Sequence, residues 1–112
     1  MENREAPISP EAVDVAQEPC HHLVFENEFV RVFNVEIPPG ETTLLHCHAH
    51  DYAAFVVGPA EIEDAPAGQA PRRRILAGGE LDRGHAGLVH RVTNTGPAPF
   101  RNVVIERKRS SA

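Results

Sequence analysis

From residue 22 onward the chain alternates short runs rich in β-branched, aromatic and aliphatic residues with glycine and proline breaks. The runs cover 22–26, 29–37, 42–50, 52–57, 60–64, 72–76, 88–94 and 99–107. Between them lie Pro38-Pro39-Gly40, Gly58-Pro59, Pro66 to Pro71, Gly78-Gly79, Gly84 to Gly87 and Gly96-Pro97. Many short strands at this spacing predict an all-β sandwich or barrel. Only residues 10–17 offer even a weak helical stripe.

Alternation within the runs predicts which side chains share a face. In 29–37 one face reads Phe29, Arg31, Phe33, Val35 and Ile37. In 42–50 one face reads Thr42, Leu44, His46, His48 and His50, and the other Thr43, Leu45, Cys47 and Ala49. In 88–94, His90 stands between Leu88 and Val92 on one face. Imidazoles interleaved with aliphatic residues suit a mostly apolar interior holding a few polar groups, which is how ligand and metal pockets are built. Phe25, Phe29, Phe33, Phe55 and Phe100 are expected in the core.

Composition narrows the class. A chain of 112 residues supports one domain, with 41% hydrophobic residues for a modest core. Residues 1–20 carry five acids against Arg4 and hold most of the net charge of -5. With Pro7, Pro10 and Pro19 they are expected to form a flexible acidic arm ahead of a single domain over 21–109. The basic clusters Arg72-Arg73-Arg74 and Arg107-Lys108-Arg109 read as solvated strand ends, so no nucleic-acid partner is expected. No apolar stretch is long enough to span a membrane, and the first residues lack the pattern of a secretory signal. A cytoplasmic location is the expectation, with Cys20 and Cys47 as reduced thiols.

Two segments carry the candidate chemistry. The first runs from Gly40 through His46-Cys47-His48 to Gly58, and the second holds Gly79, His85, Gly87, His90 and Asn94. Together they resemble the two motifs of the cupin superfamily: Gly, five residues, His-x-His, a Glu and a closing Gly, then Gly, Pro-x-Gly, His and Asn. The second motif matches at Gly79, Gly87, His90 and Asn94, with His85 in place of proline. The first matches at Gly40, His46, His48 and Gly58, but its Glu is missing, and Tyr52 and Ala53 stand where it would fall. The resemblance covers about residues 22–107. It implies an antiparallel double-stranded β-helix, or jelly-roll barrel, with a divalent metal inside. Of the family's ligands, His46, His48 and His90 carry over.

The spacing agrees with that role. Residues two apart on a strand lie ~6.5–7 Å apart and project to one side, so His46 and His48 can converge on one ion. A third ligand from another strand leaves open coordination positions. His50 lies ~13 Å along a regular strand from His46, so it is expected as an acid–base group near the pocket mouth or a second-choice ligand. Tyr52 is expected to hydrogen-bond substrate or bound water. Three neutral histidines would leave an ion with its full 2+ charge. Three-histidine cupins that bind iron(II) and activate oxygen are the family precedent, so iron(II) is favoured, with zinc, nickel or manganese as alternatives.

The remaining candidates have plainer readings. His85 is expected in a surface turn, Asn94 in a turn cap, and Cys47 as an inert thiol facing away from the histidines. Cys20, His21 and His22 adjoin the arm and are expected to bind metal only adventitiously. Arg31, Arg72, Arg74 and Arg91 either reach a pocket rim or lie on solvated faces. The expected function is that of a metal-binding cupin acting on a small molecule, with an oxygenase-type reaction preferred. A non-catalytic sensor barrel and a metal-dependent isomerase or lyase are the alternatives. The resemblance also implies a homodimer.

Overall fold

The computed structural model describes residues 12–108, and the part of the expected arm before residue 12 lies outside them. Ten strands follow one another: β1 (Val13–Asp14), β2 (His21–Glu26), β3 (Val30–Ile37), β4 (His46–Cys47), β5 (Asp51–Val56), β6 (Ala60–Pro66), β7 (Arg72–Leu76), β8 (Leu81–Gly84), β9 (Val89–Asn94) and β10 (Phe100–Arg107). They form two five-stranded sheets, ordered β1-β4-β9-β6-β7 and β2-β3-β10-β5-β8. Every strand pair is antiparallel except β1 with β4. Strands consecutive in sequence repeatedly fall in opposite sheets, which makes the double-stranded β-helix expected from the sequence.

The inward faces of the two sheets supply a core of Val15, Phe33, Val35, Ile37, Val56, Ile62, Leu76, Val92, Phe100 and Val104. In β3 the predicted alternation holds, with Phe33, Val35 and Ile37 buried and Asn34 and Glu36 exposed. Burying such side chains contributes roughly 1.5–3 kcal/mol each. Phe25, Phe29 and Phe55, expected in the core, are instead exposed. Phe25 pairs with Val32 and Phe55 with Val103, on the face of their sheet directed away from the core.

Three further expectations are corrected. Residues 42–50 are not one strand: only His46 and Cys47 are, and the burial phase slips before them. Thr43 and Leu45 are buried while Leu44 is exposed, the reverse of the face predicted from alternation. The slip has a cause in the pairing, because Thr43 joins Val92 through both its N–H and its hydroxyl, and this turns the chain before His46. Next, residues 12–20 pack on the barrel instead of trailing from it. β1 pairs with β4, Val15 is fully buried, and a 3-10 turn at Val15–Gln17 is capped by Asp14. Finally, β8 forms over residues that none of the expected runs covered, held by β5.

Asn94 caps a turn as predicted. Its amide donates to the carbonyls of Ile37 and Ala98 and accepts from Gly96 N–H, leaving the side chain satisfied and fully buried. Gly87, between β8 and β9, has φ +93°, a conformation that L side chains rarely adopt. Its N–H donates to the carbonyl of His48, and Leu88 accepts from His48 N–H, so this turn grips the backbone of a candidate ligand.

Candidate metal centre

Between the sheets lies a cavity of about 500 Å³. His46 and His90 face each other across the β4–β9 pair, which sets their rings 4.7 Å apart between centroids. His48 follows β4 and places its ring 5.1 Å from His46 and 5.3 Å from His90. All three are buried and line the cavity, so the structure brings the three predicted ligands together.

A fourth histidine joins them. His21, at the start of β2 in the opposite sheet, is buried with its ring 4.9 Å from His46 and 6.2 Å from His48. One ring nitrogen from each of His21, His46 and His48 lies within 4.8 Å of the others. The adventitious role expected for His21 is therefore corrected. Its signal was present in the sequence, two residues before Leu23 on a β-rich run, but that run read as beginning at His22. Cys20 and His22 take no part in this cluster. Burial, helped by Glu18 and Glu41, raises the Cys20 thiol to about 11, which keeps it protonated.

Each of the four rings has an oxygen at Nδ1. Glu18 Oε1 stands 2.7 Å from His21, the Leu44 carbonyl 2.8 Å from His46, and Asp64 Oδ1 2.8 Å from His90. Glu106 Oε2 stands 3.6 Å from His48. A carboxylate or carbonyl only accepts, so the three close partners place the proton on Nδ1 and leave Nε2 of His21, His46 and His90 as a lone pair. Such outer partners are what orient histidine ligands in metal sites. Sequence reasoning found none of Glu18, Asp64 and Glu106.

The pair His48 and His90 tests whether a metal fits. Their Nε2 atoms are 3.4 Å apart, and that of His90 is an acceptor. If His48 carries its proton on Nδ1, two lone pairs face each other at Nε2. If the proton moves to Nε2, the Nδ1 lone pair faces the Glu106 carboxylate instead, and both of those buried atoms lack a hydrogen-bond partner. A second proton on His48 would relieve this, but burial and then the neighbouring histidines push its pKa down despite Glu106. A cation at the Nε2 atoms relieves it directly. Two metal–nitrogen bonds of about 2.0–2.1 Å in tetrahedral geometry separate their nitrogens by roughly 3.3–3.4 Å. The donor set fits a divalent ion of the imidazole-binding kind.

Electrostatics complete the site. Burial, then repulsion from His90, lowers His46 to about 3, so its imidazole is neutral and ready to bind. Burial by itself would raise the carboxyls of Glu18, Asp64 and Glu106, but hydrogen bonds from His21 and His90 hold the first two low, and the neighbouring His48 with the Arg31 guanidinium holds Glu106 low. Arg31 offsets one of these charges, donating from Nε to Glu106 Oε1 at 2.7 Å. These carboxylates stand where they would offset part of the charge of an ion held by the neutral imidazoles.

Tyr52 stacks on His48 at 4.0 Å and 22° and lines the cavity. It crosses directly over Gly84, its partner in β8, where an added Cβ would collide with the phenol ring. Burial, with Asp82 and Asp64 nearby, raises its pKa, so the phenol keeps its proton. His50 does not line the cavity: the chain bends there, and the expected acid–base role is not supported by its placement. His85 is an exposed turn residue, as expected, at the cavity's edge. Cys47 stays clear of the cavity. Arg31 is tied to Glu106, while Arg72 and Arg74 line the cavity.

A jelly-roll barrel with a histidine cluster on paired inner strands defines a cupin. Comparison with known proteins agrees. No protein-family model and no curated protein sequence matches the chain. Among solved structures, a cupin domain from Bordetella pertussis is 26% identical with a TM-score of 0.75, over 80% of this chain and 92% of that one. A conserved protein with a double-stranded β-helix domain from Klebsiella pneumoniae is 23% identical with a TM-score of 0.67, over 99% and 95%. A DMSP lyase from Ruegeria pomeroyi is 24% identical with a TM-score of 0.58, over 77% of this chain and 42% of that one. These likenesses show that the chain has the cupin double-stranded β-helix fold. No helix among its described residues is long and apolar enough to cross a membrane.

Proposed function

We propose that the protein is a divalent-metal-dependent cupin that binds and converts a small organic molecule inside the barrel. The reading rests on the opposed Nε2 atoms of His48 and His90, whose lone pairs no neutral arrangement of protons satisfies together with Glu106. His21, His46 and His48 present ring nitrogens within 4.8 Å of one another, and His90, whose Nε2 lies 3.4 Å from that of His48, adds the fourth ligand. A bound ion supplies Lewis acidity there, or oxygen binding if it is iron(II). The apolar wall of Val35, Ile37, Val56 and Leu76 keeps bulk water from the reacting end of a substrate.

Two chemistries use these residues differently. Oxygenase-type chemistry at iron(II) follows the three-histidine precedent. Lewis-acid lyase or isomerase chemistry gains support from Tyr52, a protonated phenol able to hand a proton to a developing oxyanion. One of the solved structures of similar fold is named a DMSP lyase. We favour the second for that reason. Turnover without oxygen consumption supports it, and oxygen uptake coupled to turnover restores the first.

The metal itself is tested by elemental analysis of protein purified without a histidine tag. The expected result is about one ion per chain in the parent protein and almost none in His46→Ala or His90→Ala. Full occupancy in both variants, or no metal in the parent, contradicts the assignment. The homodimer remains part of this reading, and light scattering should give twice the mass of the chain. A cytoplasmic location is retained on the same footing.

A further inference from the structure

The sheet that carries His46 and His90 holds a second recognition element further along its inner wall, on β7. β7 pairs with β6 so that Arg72 lies beside Asp64, Arg74 beside Ile62 and Leu76 beside Ala60. The buried partners Asp64 and Ile62 fix this as the inward face, and Arg72, Arg74 and Leu76 all line the cavity. The outward residue Arg73 pairs with Glu61 instead. Two guanidiniums therefore stand on the inner wall, in a cavity whose deeper lining is aliphatic.

Their commitments differ. Arg74 is gripped by both oxygens of Asp82, with Nη1 at 2.8 Å and Nη2 at 3.2 Å. Arg72 makes only one ion-pair approach among the described residues, Nη2 to Asp64 Oδ2 at 3.9 Å, beyond hydrogen-bond reach. Asp64 already accepts from His90 through its other oxygen. Arg72 is thus one carboxylate away from a metal-ligand candidate, with its side chain 65% exposed to the cavity mouth and solvent. Its planar fork is free for a ligand that enters.

We propose that Arg72 clamps a carboxylate of the substrate at the mouth while another oxygen donor of the same molecule reaches the metal centre. This names the substrate class, a small bifunctional carboxylic acid, and rests on the metal-centre reading above. A guanidinium matches a carboxylate with two parallel N–H···O bonds. A dianionic phosphate suits the wall less, since Asp64 lies beside the single uncommitted fork and Arg74 is already neutralised by Asp82. Hydrogen bonds to charged groups are among the stronger polar contacts, so losing this one should weaken binding by about 10- to 100-fold.

The test is calorimetric titration of cobalt(II)-loaded protein with malonate, succinate and glutarate, each against its diamide, in the parent, Arg72→Gln and Arg72→Lys. At least one diacid should bind the parent about tenfold or more tightly over its diamide. Arg72→Gln should abolish that preference and Arg72→Lys retain part of it, with cobalt content equal in all three. No diacid preferred over its diamide, or a preference that survives Arg72→Gln, overturns the clamp. Failure of the parent to take up cobalt refutes the metal reading separately, and the titrations are then made on metal-free protein. There an Arg72-dependent preference upholds the carboxylate clamp, and its absence overturns that too.

Discussion

The floor of the cavity and the outer surface divide the protein's seven histidines between them. His21, His46, His48 and His90 lie on the floor, buried, each with an oxygen at Nδ1. His22, His50 and His85 lie outside the cluster, and no side-chain hydrogen bond of theirs appears among the described residues. An imidazole on a solvated surface finds water for both nitrogens, whereas a buried one needs a built partner for its N–H. What separates a ligand from a bystander here is the buried oxygen behind it, a carboxylate for His21, His48 and His90 and the Leu44 carbonyl for His46.

The most damaging way to break that difference is to remove one of those carboxylates. Glu106 is fully buried between Arg31 and His48. Glu106→Gln leaves Arg31 with only the longer, partly exposed contact to Asp14 at 3.3 Å, and breaking the buried pair costs up to about 3–5 kcal/mol. Metal affinity should fall about 10- to 100-fold as well. Chemical denaturation and competition with a chelator read the two effects, and unchanged metal affinity would show that Glu106 serves the fold alone.

Acid should distinguish the two groups next. His46 and His48 have pKa values below those of the unfolded chain, so between about pH 3 and 6.5 unfolding takes up protons. Stability of metal-free protein is complete above about pH 6.5 and declines as pH falls, by at most about 1.4 kcal/mol per pH unit for each such group. Glu18, Asp64 and Glu106, held low in the fold, add a further loss below about pH 4.5. Thermal melts across this range should show a steady fall, and a flat profile from pH 7 to 5 would contradict buried neutral imidazoles.

A smaller effect is expected at Gly84, where only a hydrogen fits beneath the Tyr52 ring. Gly84→Ala should cost about 1–3 kcal/mol by overpacking and reduce turnover by displacing the phenol, with metal content retained. At the bottom of the scale, His22→Ala and His50→Ala should change stability by less than about 0.5 kcal/mol and leave the metal in place. Loss of metal from either would return it to the site.

These differences also mark where sequence is informative. The barrel and the trio His46, His48 and His90 were legible because period-two alternation and two spaced motifs act over short range. His21 was not, because its role depends on β2 entering the sheet opposite β4, a pairing no local pattern encodes. Glu18, Asp64 and Glu106 were hidden for the same reason: each reads as an ordinary strand or turn acid until the fold sets it behind a ring. His50 misled through alternation, since the chain bends just where the pattern was extended. Phe25 and Phe55 misled through composition, being aromatic residues on the outer face of a sheet.

The most direct test counts the histidines on the metal. X-ray absorption at the metal edge of zinc-loaded protein should give four nitrogen neighbours at about 2.0–2.1 Å with imidazole scattering, and three in His21→Ala. Zinc that fails to bind stoichiometrically, or a count that His21→Ala leaves unchanged, would contradict the four-histidine floor.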